Sequence, residues 1–290
     1  KHMSSKKLSG KIVPYVFILP FVIFFITFMA YPIIFSLIMC FSKYRNASFE
    51  YTGLKNFTYV MKDPLFWKAL KNTFILLIVQ VPIQTFLAVV LANFLNVKSL
   101  RGKGIMRMLI FMPILLDSVS YSIVFSIFFN YDNGLVNNAI RLLGGEGPQW
   151  LNDGWLAKMV LVIAITWRWT GYNTVIMLSG LQNIPDELYE AASIDGAGKI
   201  KQFFSITIPS LKPVLVFAVI LSVTGMLQLF TEPYLLTKGG PVNETLTIVQ
   251  YLYEKGFKSF DFGAASAGSY VLVVIIAVLT WLQLKVTKED

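Results

Sequence analysis

Long stretches without a charged residue constrain this chain more than any other feature. Four such runs contain no Asp, Glu, Lys or Arg: 12–42, 72–97, 213–231 and 262–284. Two further apolar runs carry one charge each, Asp117 within 108–131 and Arg168 within 159–182. A helix needs about 20 mainly apolar residues to cross a hydrocarbon core about 30 Å thick. The pattern therefore predicts six membrane spans.

The composition supports the same interpretation. The 290 residues are 56% hydrophobic and 14% charged, whereas a soluble domain is about 25% charged. The apolar runs lack strict alternation, which favours helices over a closed β-barrel. We expect an all-α polytopic membrane protein with one transmembrane domain over residues 12–290. Its predicted spans are 12–42, 72–97, 108–131, 159–182, 213–235 and 262–284.

Several kinds of function are excluded by what the chain lacks. Cys40 is the only cysteine, so neither a disulfide framework nor a cysteine metal cluster is expected within the chain. The only histidine, His2, lies in a predicted cytoplasmic tail over residues 1–11, where Lys1-His2-Met3 is typical of an expression-tag remnant. The net charge of +9 is not arranged as a basic stripe among aromatic residues, which argues against nucleic acid as a partner. We predict no catalytic residues and no metal site.

Loop charges predict the orientation. The short link 98–107 contains Lys98, Arg101, Lys103 and Arg107 without an acid, which places this side in the cytoplasm. With six spans, both termini and the loop 184–212 are then expected to be cytoplasmic as well.

The loop 184–212 has a readable local plan. Pro185 suits the start of a short helix, and Gly196 suits its left-handed end. A second short helix is expected from Lys199, ending before Pro209. Physical reasoning alone leaves two interpretations open for this loop, a docking surface and an ordinary solvated connection.

One motif in this loop identifies a family. Glu190-Ala191-Ala192, three residues, Gly196, nine residues and Ile206-Thr207-Ile208-Pro209 resemble the EAA loop of ABC importer permeases, with Ile208 in place of the usual leucine. Leu236-Thr237-Lys238-Gly239-Gly240-Pro241 is similar to the external motif of the carbohydrate branch, which includes maltose-type and glycerol-phosphate-type systems. The resemblance implies the six-span type I importer permease fold. It also implies that these residues couple the chain to an ATPase: Glu190, Ala191, Ala192, Asp195, Gly196, Gly198, Ile206 and Pro209.

The resemblance further implies a division of labour in the membrane of a prokaryotic cell. A second permease, two ATPase subunits and an extracytoplasmic solute-binding protein would complete the importer. ATP and Mg²⁺ would bind to the ATPase subunits, and this chain would bind no cofactor. The sequence contains no phosphate-binding loop of the G-x-x-x-x-G-K-[ST] type, which agrees with a subunit that moves solute and hydrolyses nothing.

Polar residues within the spans are candidates for a substrate pathway, because an ionisable residue in a membrane normally faces protein or a water-filled cavity. The fourth span combines aromatic rings with hydrogen-bonding groups, a mixture that suits a sugar. On the fifth span, a helical turn separates two more polar residues that would share a face. The candidate pathway residues are Trp167, Arg168, Trp169, Tyr172, Asn173, Gln228 and Glu232.

The sequence leaves alternatives open for two residues, for the substrate and for the kind of transporter. Arg168 either lies on the pathway or forms a structural pair with Asp117, and Glu232 is either an external gate or an interfacial acid. The expected substrate is a carbohydrate, with an oligosaccharide ahead of glycerol phosphate or another polyol derivative. An ion-coupled secondary transporter is a less favoured alternative. A membrane enzyme using Asp117 and Glu232 is also less favoured, because their expected depths differ.

Overall fold

The computed structural model describes residues 13–45, 48–97 and 99–288. The predicted tail 1–11 and Lys98 of the basic link lie outside the described residues. Helices form most of the described chain, which confirms the predicted all-α class. The helices are α1 (Val13–Phe25), α2 (Tyr31–Cys40), α3 (Lys55–Lys62), α4 (Pro64–Asn96), α5 (Lys103–Phe111), α6 (Ser118–Phe128), α7 (Leu135–Leu142), α8 (Gly154–Leu181), α9 (Asp186–Ile194), α10 (Lys199–Gln202), α11 (Ile208–Leu227), α12 (Ile248–Tyr253) and α13 (Phe262–Lys288).

Shorter helical turns and one hairpin complete the described chain. A 3₁₀ turn covers Met112–Leu115. Wider π-helical segments occupy Ile26–Ala30, Phe203–Thr207, Pro233–Thr237 and Glu254–Lys258. The strands β1 (Ser42–Arg45) and β2 (Ser48–Tyr51) pair antiparallel, with Ser42 opposite Tyr51. The uncharged runs did not indicate this hairpin, because it follows the first span and is rich in polar residues.

The chain divides into two compact units. The first contains the described residues up to Lys62 together with Leu252–Val271. The Asn56 amide organises it by donating to the carbonyl oxygens of Cys40 at 2.9 Å and Ser42 at 2.8 Å. These bonds fix the chain where α2 ends and β1 begins.

The second unit contains Asp63–Tyr251 and the described residues from Leu272 onward. Its core lies between α4, α8 and α11. Several of the meeting positions hold small side chains, which allow helices to approach closely where lipid gives little driving force for association. The buried core residues are Ala88, Val89, Ala92, Leu95, Met177, Leu178, Leu181, Leu211 and Ala218.

Within the described part of the chain, four helical segments are long and apolar enough to cross a membrane: Pro14–Cys40, Pro64–Asn96, Lys199–Leu227 and Phe262–Lys285. They correspond to the first, second, fifth and sixth predicted spans. The fourth predicted span is α8, which is 28 residues long. Its second half is less apolar than the other spans, because it carries Arg168 and Asn173.

The third predicted span is not one straight helix. The segments Lys103–Leu115 and Ser118–Phe128 meet at an angle of 96°. Pro113 lies in the 3₁₀ turn before the break, and the Asp117 carboxylate caps α6 by accepting from the backbone N–H groups of Val119 and Ser120. A helix that ends in this way leaves fewer unpaired backbone groups. Asp117 is thus a helix cap, and the break replaces the continuous span 108–131 of the prediction.

Gly171 allows the end of α5 to approach α8 closely. A Cβ atom at this position would overlap the backbone carbonyl of Ile110 and lie 3.1 Å from the Cα atom of Phe111. The close approach of the third span to the fourth therefore depends on this glycine.

The fifth predicted span, 213–235, is corrected at both ends. The helix runs without interruption from Lys199 to Leu227, so the expected stop before Pro209 is wrong. In a regular helix the ring of Pro209 would crowd the carbonyl of Ser205, four residues earlier. Ser205 lies in the π-helical segment, where the wider turn relieves this clash. At the other end, residues 228–230 leave the helix, and the two polar residues Gln228 and Glu232 do not lie on one continuous helical face.

The 237–251 segment, which contains most of the predicted external motif, is held by ionic contacts to α4 and α8. The Glu244 carboxylate lies 2.9 Å from Lys68 Nζ and 2.7 Å from Lys158 Nζ. Lys158 is 8% exposed and Glu244 is 40% exposed. Hydrogen bonds from Lys158 and then Lys68 lower the pKa of the Glu244 carboxyl to about 2.

Side chains of α4 also satisfy the backbone of this segment. The Asn72 amide donates to the carbonyl oxygens of Asn243 at 2.9 Å and Leu246 at 3.1 Å. The Thr73 hydroxyl accepts from the backbone N–H of Ile248 at 2.9 Å. The irregular chain between α11 and α12 is therefore fixed in place.

Gly171→Ala should destabilise the purified protein in detergent by about 1–3 kcal/mol, because the added methyl group forces the backbone of α5 away from α8. The measurement is the midpoint of thermal aggregation by fluorescence-detected gel filtration. Gly104→Ala is the control, since among the described residues nothing beyond its chain neighbours and its own helix backbone lies within 4 Å of a Cβ atom there. A Gly171 variant as stable as this control would contradict the close contact.

Glu244→Gln should lower stability at pH 7 by about 1 kcal/mol, the upper part of the range for a partly exposed ion pair. The folded-state pKa is lowered from 4.5 to about 2, so the carboxylate stabilises fully above about pH 4.5 and loses its effect as the pH falls toward 2. The difference in thermal midpoint between the two proteins should therefore shrink below pH 4.5. Glu146→Gln, at an exposed position, should show no such pH-dependent difference.

Candidate functional site

Helix α8 presents its predicted pathway residues on one face. Arg168, Trp169, Tyr172 and Asn173 are spaced so that pairs of neighbours recur after four residues, which places them on one side of a helix. The rings of Trp169 and Tyr172 meet edge to face with centroids 5.9 Å apart. The Asn173 amide donates to the Ser222 hydroxyl of α11 at 3.2 Å. This face of α8 therefore points toward α11.

Helix α11 and the non-helical residues that follow it form the wall opposite α8. The helix ends at Leu227, and Gln228, its C-terminal cap, bonds back to the carbonyl oxygens of Gly225 and Met226. The Leu229 carbonyl, which no longer takes part in a helix, accepts from the Thr247 hydroxyl at 2.8 Å. The non-helical residues can thus line a cavity without leaving that carbonyl unpaired.

An ionic network links three elements at the cavity. Arg168 Nη1 lies 3.4 Å from Glu232 Oε1 and also donates to the Ser118 hydroxyl. The Tyr121 hydroxyl donates to the same Glu232 oxygen. The two charged side chains are 13% and 7% exposed, so each depends on the other for compensation.

Aromatic rings support the arginine from two sides. The Arg168 guanidinium lies 4.9 Å from the centroid of the Tyr121 ring and 5.6 Å from that of Trp169. Contacts of this kind stabilise a buried cation. The side chain is consequently held in one orientation beside the cavity.

The cavity has a volume of about 280 Å³, close to the lower end of the range for small-molecule pockets. Its wall combines amides, hydroxyls, aromatic rings and aliphatic groups. The lining residues are Gln80, Gln84, Ser118, Ile165, Arg168, Trp169, Tyr172, Asn173, Leu221, Ser222, Gly225, Met226, Gln228, Leu229, Phe230, Thr231 and Glu232.

The structure brings six of the seven candidate pathway residues to this wall. The exception is Trp167, which packs against Phe125 with ring centroids 5.5 Å apart and does not line the cavity. The structural pairing of Arg168 with Asp117, one of the two alternatives, does not occur, because Asp117 caps α6 and Glu232 takes its place. The bend after α5 brings Ser118 to Arg168.

Two lining residues were missed by the sequence analysis. Gln80 and Gln84 lie one turn apart on α4, are buried, and share a hydrogen bond from the Gln80 amide nitrogen to the Gln84 amide oxygen. Two amides four residues apart within an uncharged span were a usable signal, since a buried amide needs a polar partner. In the described ranges no group of three or more His, Cys, Asp or Glu side chains is placed to hold a metal ion.

The 184–212 segment forms a second candidate site. Gly196 has φ of +76°, the left-handed conformation that the sequence predicted, and it ends the turn after α9. The segment folds back on itself as a helical hairpin, the 184–212 hairpin. The Gln202 amide closes this hairpin by donating to the Ser193 hydroxyl at 2.8 Å and the Ala197 carbonyl at 2.9 Å. The Tyr189 and Thr207 hydroxyls lie 3.0 Å apart. The hairpin is thus a preformed unit.

The coupling candidates lie on the surface of this hairpin. Glu190, Ala191, Asp195, Gly196, Gly198 and Pro209 are exposed, and Ala192 and Ile206 are half-buried. Large apolar side chains, Ile194, Ile200 and Phe204, are also exposed. By contrast, Ile184 and Phe203 pack against the core of α4, α8 and α11. The hairpin therefore presents an apolar surface while its base is anchored in the membrane helices.

Comparison with known proteins places these features in a family. The family model described as binding-protein-dependent transport system inner membrane component matches residues 73–288. The lactose transport system permease LacF of Rhizobium radiobacter is 43% identical over 280 residues, covering 95% of this chain and 94% of that protein. The arabinooligosaccharide transport system permease AraP of Bacillus subtilis is 37% identical over 285 residues, covering 96% and 90%.

A solved structure shares the fold. The crystal structure of a bacterial ABC transporter involved in the import of the acidic polysaccharide alginate matches with a TM-score of 0.85 and 20% identity. The match covers 96% of this chain and 95% of that chain. The fold is therefore that of an ABC importer permease.

Arg168→Met should destabilise the protein by about 3–5 kcal/mol, because it leaves Glu232 buried without a compensating charge. The double variant Arg168→Met/Glu232→Gln removes both charges and should recover most of this loss. Thermal unfolding of the two variants and the unsubstituted protein in one detergent measures the difference. If the double variant is no more stable than the single one, the two residues do not form a coupled pair.

Proposed function

The chain belongs to the family of binding-protein-dependent transport system inner membrane components, and on that premise we propose that it imports an oligosaccharide as one of two paired permeases. As a member of this family it is a multi-pass protein of the plasma membrane and a transport subunit. In the proposed importer, separate ATPase subunits hydrolyse ATP, and an extracytoplasmic solute-binding protein delivers the sugar.

The observation that carries the carbohydrate proposal is the composition of the cavity. Sugars present C–H faces that pack on aromatic rings, and hydroxyls that need both donors and acceptors. Trp169 and Tyr172 provide rings, while Asn173, Gln228 and Arg168 provide hydrogen-bonding groups in the same wall. The permeases LacF and AraP, whose names specify lactose and arabinooligosaccharides, support the same substrate class.

We propose that the 184–212 hairpin couples this chain to an ATPase subunit. Its exposed apolar surface favours docking of a soluble partner. Its left-handed turn at Gly196 holds the surrounding residues in a defined conformation. At its base, Ile184 and Phe203 pack against the core formed by α4, α8 and α11. Movement imposed on the hairpin would therefore reach the membrane helices.

The proposed orientation places this hairpin and both termini in the cytoplasm. Its support is the basic stretch 98–107, which joins α4 to the first residues of α5 and contains Arg101, Lys103 and Arg107 without an acid. The 237–251 segment would then face outward, toward the solute-binding protein.

ATPase activity of the complete importer in proteoliposomes tests the proposed function. The panel contains neutral oligosaccharides of glucose, galactose and arabinose, together with glycerol 3-phosphate. Stimulation by a neutral oligosaccharide through the binding protein is the expected result. Stimulation by glycerol 3-phosphate alone would change the substrate class, and turnover that depends on an ion gradient would overturn the proposal.

Gly196→Pro should abolish transport while the protein remains in the membrane. Proline fixes φ near −65°, whereas this position requires +76°, so the hairpin cannot keep its shape. Sugar uptake and the amount of assembled complex are measured together.

Gly102→Pro is the matched control, because Gly102 has the same φ of +76° but lies at the start of α5, outside the hairpin. It should retain transport. Normal transport by the Gly196 variant would show that the hairpin does not carry the ATPase movement.

A further inference from the structure

The charges in the cavity wall cancel. Among its lining residues in the described chain, Arg168 is the only lysine or arginine and Glu232 the only aspartate or glutamate. Their charged atoms are 3.4 Å apart and both side chains are largely buried. A charged ligand entering such a site would add a charge without a counter-charge, which is costly where water is excluded.

Two buried side-chain atoms of the wall have no hydrogen-bond partner among the residues that the structure describes. Gln80 Oε1 and Arg168 Nε are both buried and unsatisfied. Buried polar groups in native proteins are nearly always paired, so an unpaired acceptor and an unpaired donor beside one cavity indicate a ligand. The Gln84 amide oxygen accepts a hydrogen bond from Gln80 Nε2. The Gln80 amide oxygen therefore remains available to a ligand.

We propose that the cavity binds an uncharged sugar segment, with Gln80 and Arg168 as hydrogen-bonding partners of its hydroxyls, and that it rejects uronates and sugar phosphates. The proposal rests on the proposed function and narrows its substrate class. A hydroxyl group both donates and accepts, so it can donate to Gln80 Oε1 and accept from Arg168 Nε. Arg168 therefore acts as a neutralised donor and not as an anion site.

The burial of Gln80 limits when a sugar can reach its amide. The Gln80 side chain lines the cavity but has no surface exposed to solvent. A sugar hydroxyl reaches it only after a neighbouring side chain moves. Gln80 would thus recognise a substrate only after that substrate has entered the cavity and displaced a side chain.

The first test measures sugar binding to the assembled permease and ATPase complex in nanodiscs without the solute-binding protein. Saturation-transfer NMR is used with neutral di- to tetrasaccharides of glucose, galactose and arabinose, with trigalacturonate and with glycerol 3-phosphate. At least one neutral sugar should bind, and both anions should bind at least about tenfold more weakly. Equal or tighter binding of an anion would overturn the proposal.

Gln80→Met tests the amide directly, since methionine keeps an unbranched side chain and removes the hydrogen-bonding group. The dissociation constant for the neutral sugar should rise about tenfold, the effect of losing one buried hydrogen bond. Gln283→Met is the matched control, because this amide lies in α13 and does not line the cavity. Equal affinity in the Gln80 variant and this control would remove Gln80 from the site.

Glu232→Gln tests the charge balance. It leaves Arg168 uncompensated, so trigalacturonate should bind at least about tenfold more tightly than to the unsubstituted complex. Glu146→Gln, a carboxylate outside the cavity, should leave trigalacturonate binding unchanged. Unchanged binding in the Glu232 variant would show that the pair does not determine charge selectivity.

Failure of the inference and failure of the proposed function give different results. If sugar-loaded binding protein stimulates the ATPase but no neutral sugar binds to the complex, the import function stands and the inference fails. If no sugar stimulates the ATPase at all, the proposed function itself fails.

Discussion

Hydrocarbon cannot hydrogen-bond to a peptide group, and this constraint determines where the chain may depart from a helix. Each unpaired N–H or C=O in the membrane costs several kcal/mol unless protein or water satisfies it. The long uncharged segments accordingly remain helical. Two breaks within the apolar segments of the second unit, at residues 116–117 and 228–230, occur where other side chains provide partners.

Both departures adjoin the same cavity. At the first, the Asp117 carboxylate accepts two backbone N–H groups, and Ser118 reaches Arg168. At the second, Thr247 donates to the Leu229 carbonyl, and the residues that follow bring Glu232 to the arginine. Irregular backbone in a membrane protein is tolerated where it lines a cavity. Part of the polar cavity wall, Ser118, Gln228 and Glu232, therefore lies at or next to the helix breaks.

Local features of this fold could be predicted from the sequence, and contacts between distant segments could not. The absence of charge located the helical segments, and Gly196 marked a left-handed turn because a single residue determines that conformation. The partner of Arg168 was not predictable, because it depends on a bend after Pro113 and a helix end at Leu227. The expected helix stop before Pro209 failed for a related reason, since a π-helical turn accommodated the proline. Gln80 and Gln84 were visible as polar residues, but their position at the cavity depends on how α4 packs against α8.

The continuous helix from Lys199 to Leu227 connects the two candidate sites mechanically. Its 29 residues span about 43 Å at 1.5 Å per residue. One end belongs to the hairpin with Glu190 and Gly196, and the other end contributes Ser222 and Gly225 to the cavity wall. An uninterrupted helix transmits displacement along its axis, whereas bending concentrates at irregular turns, here Phe203–Thr207. Leu211 and Ala218 pack this helix against α4 and α8, so a displacement of the helix would change the spacing between the cavity walls. In the proposed coupling, movement at the hairpin and the width of the cavity would both follow from the position of this one helix.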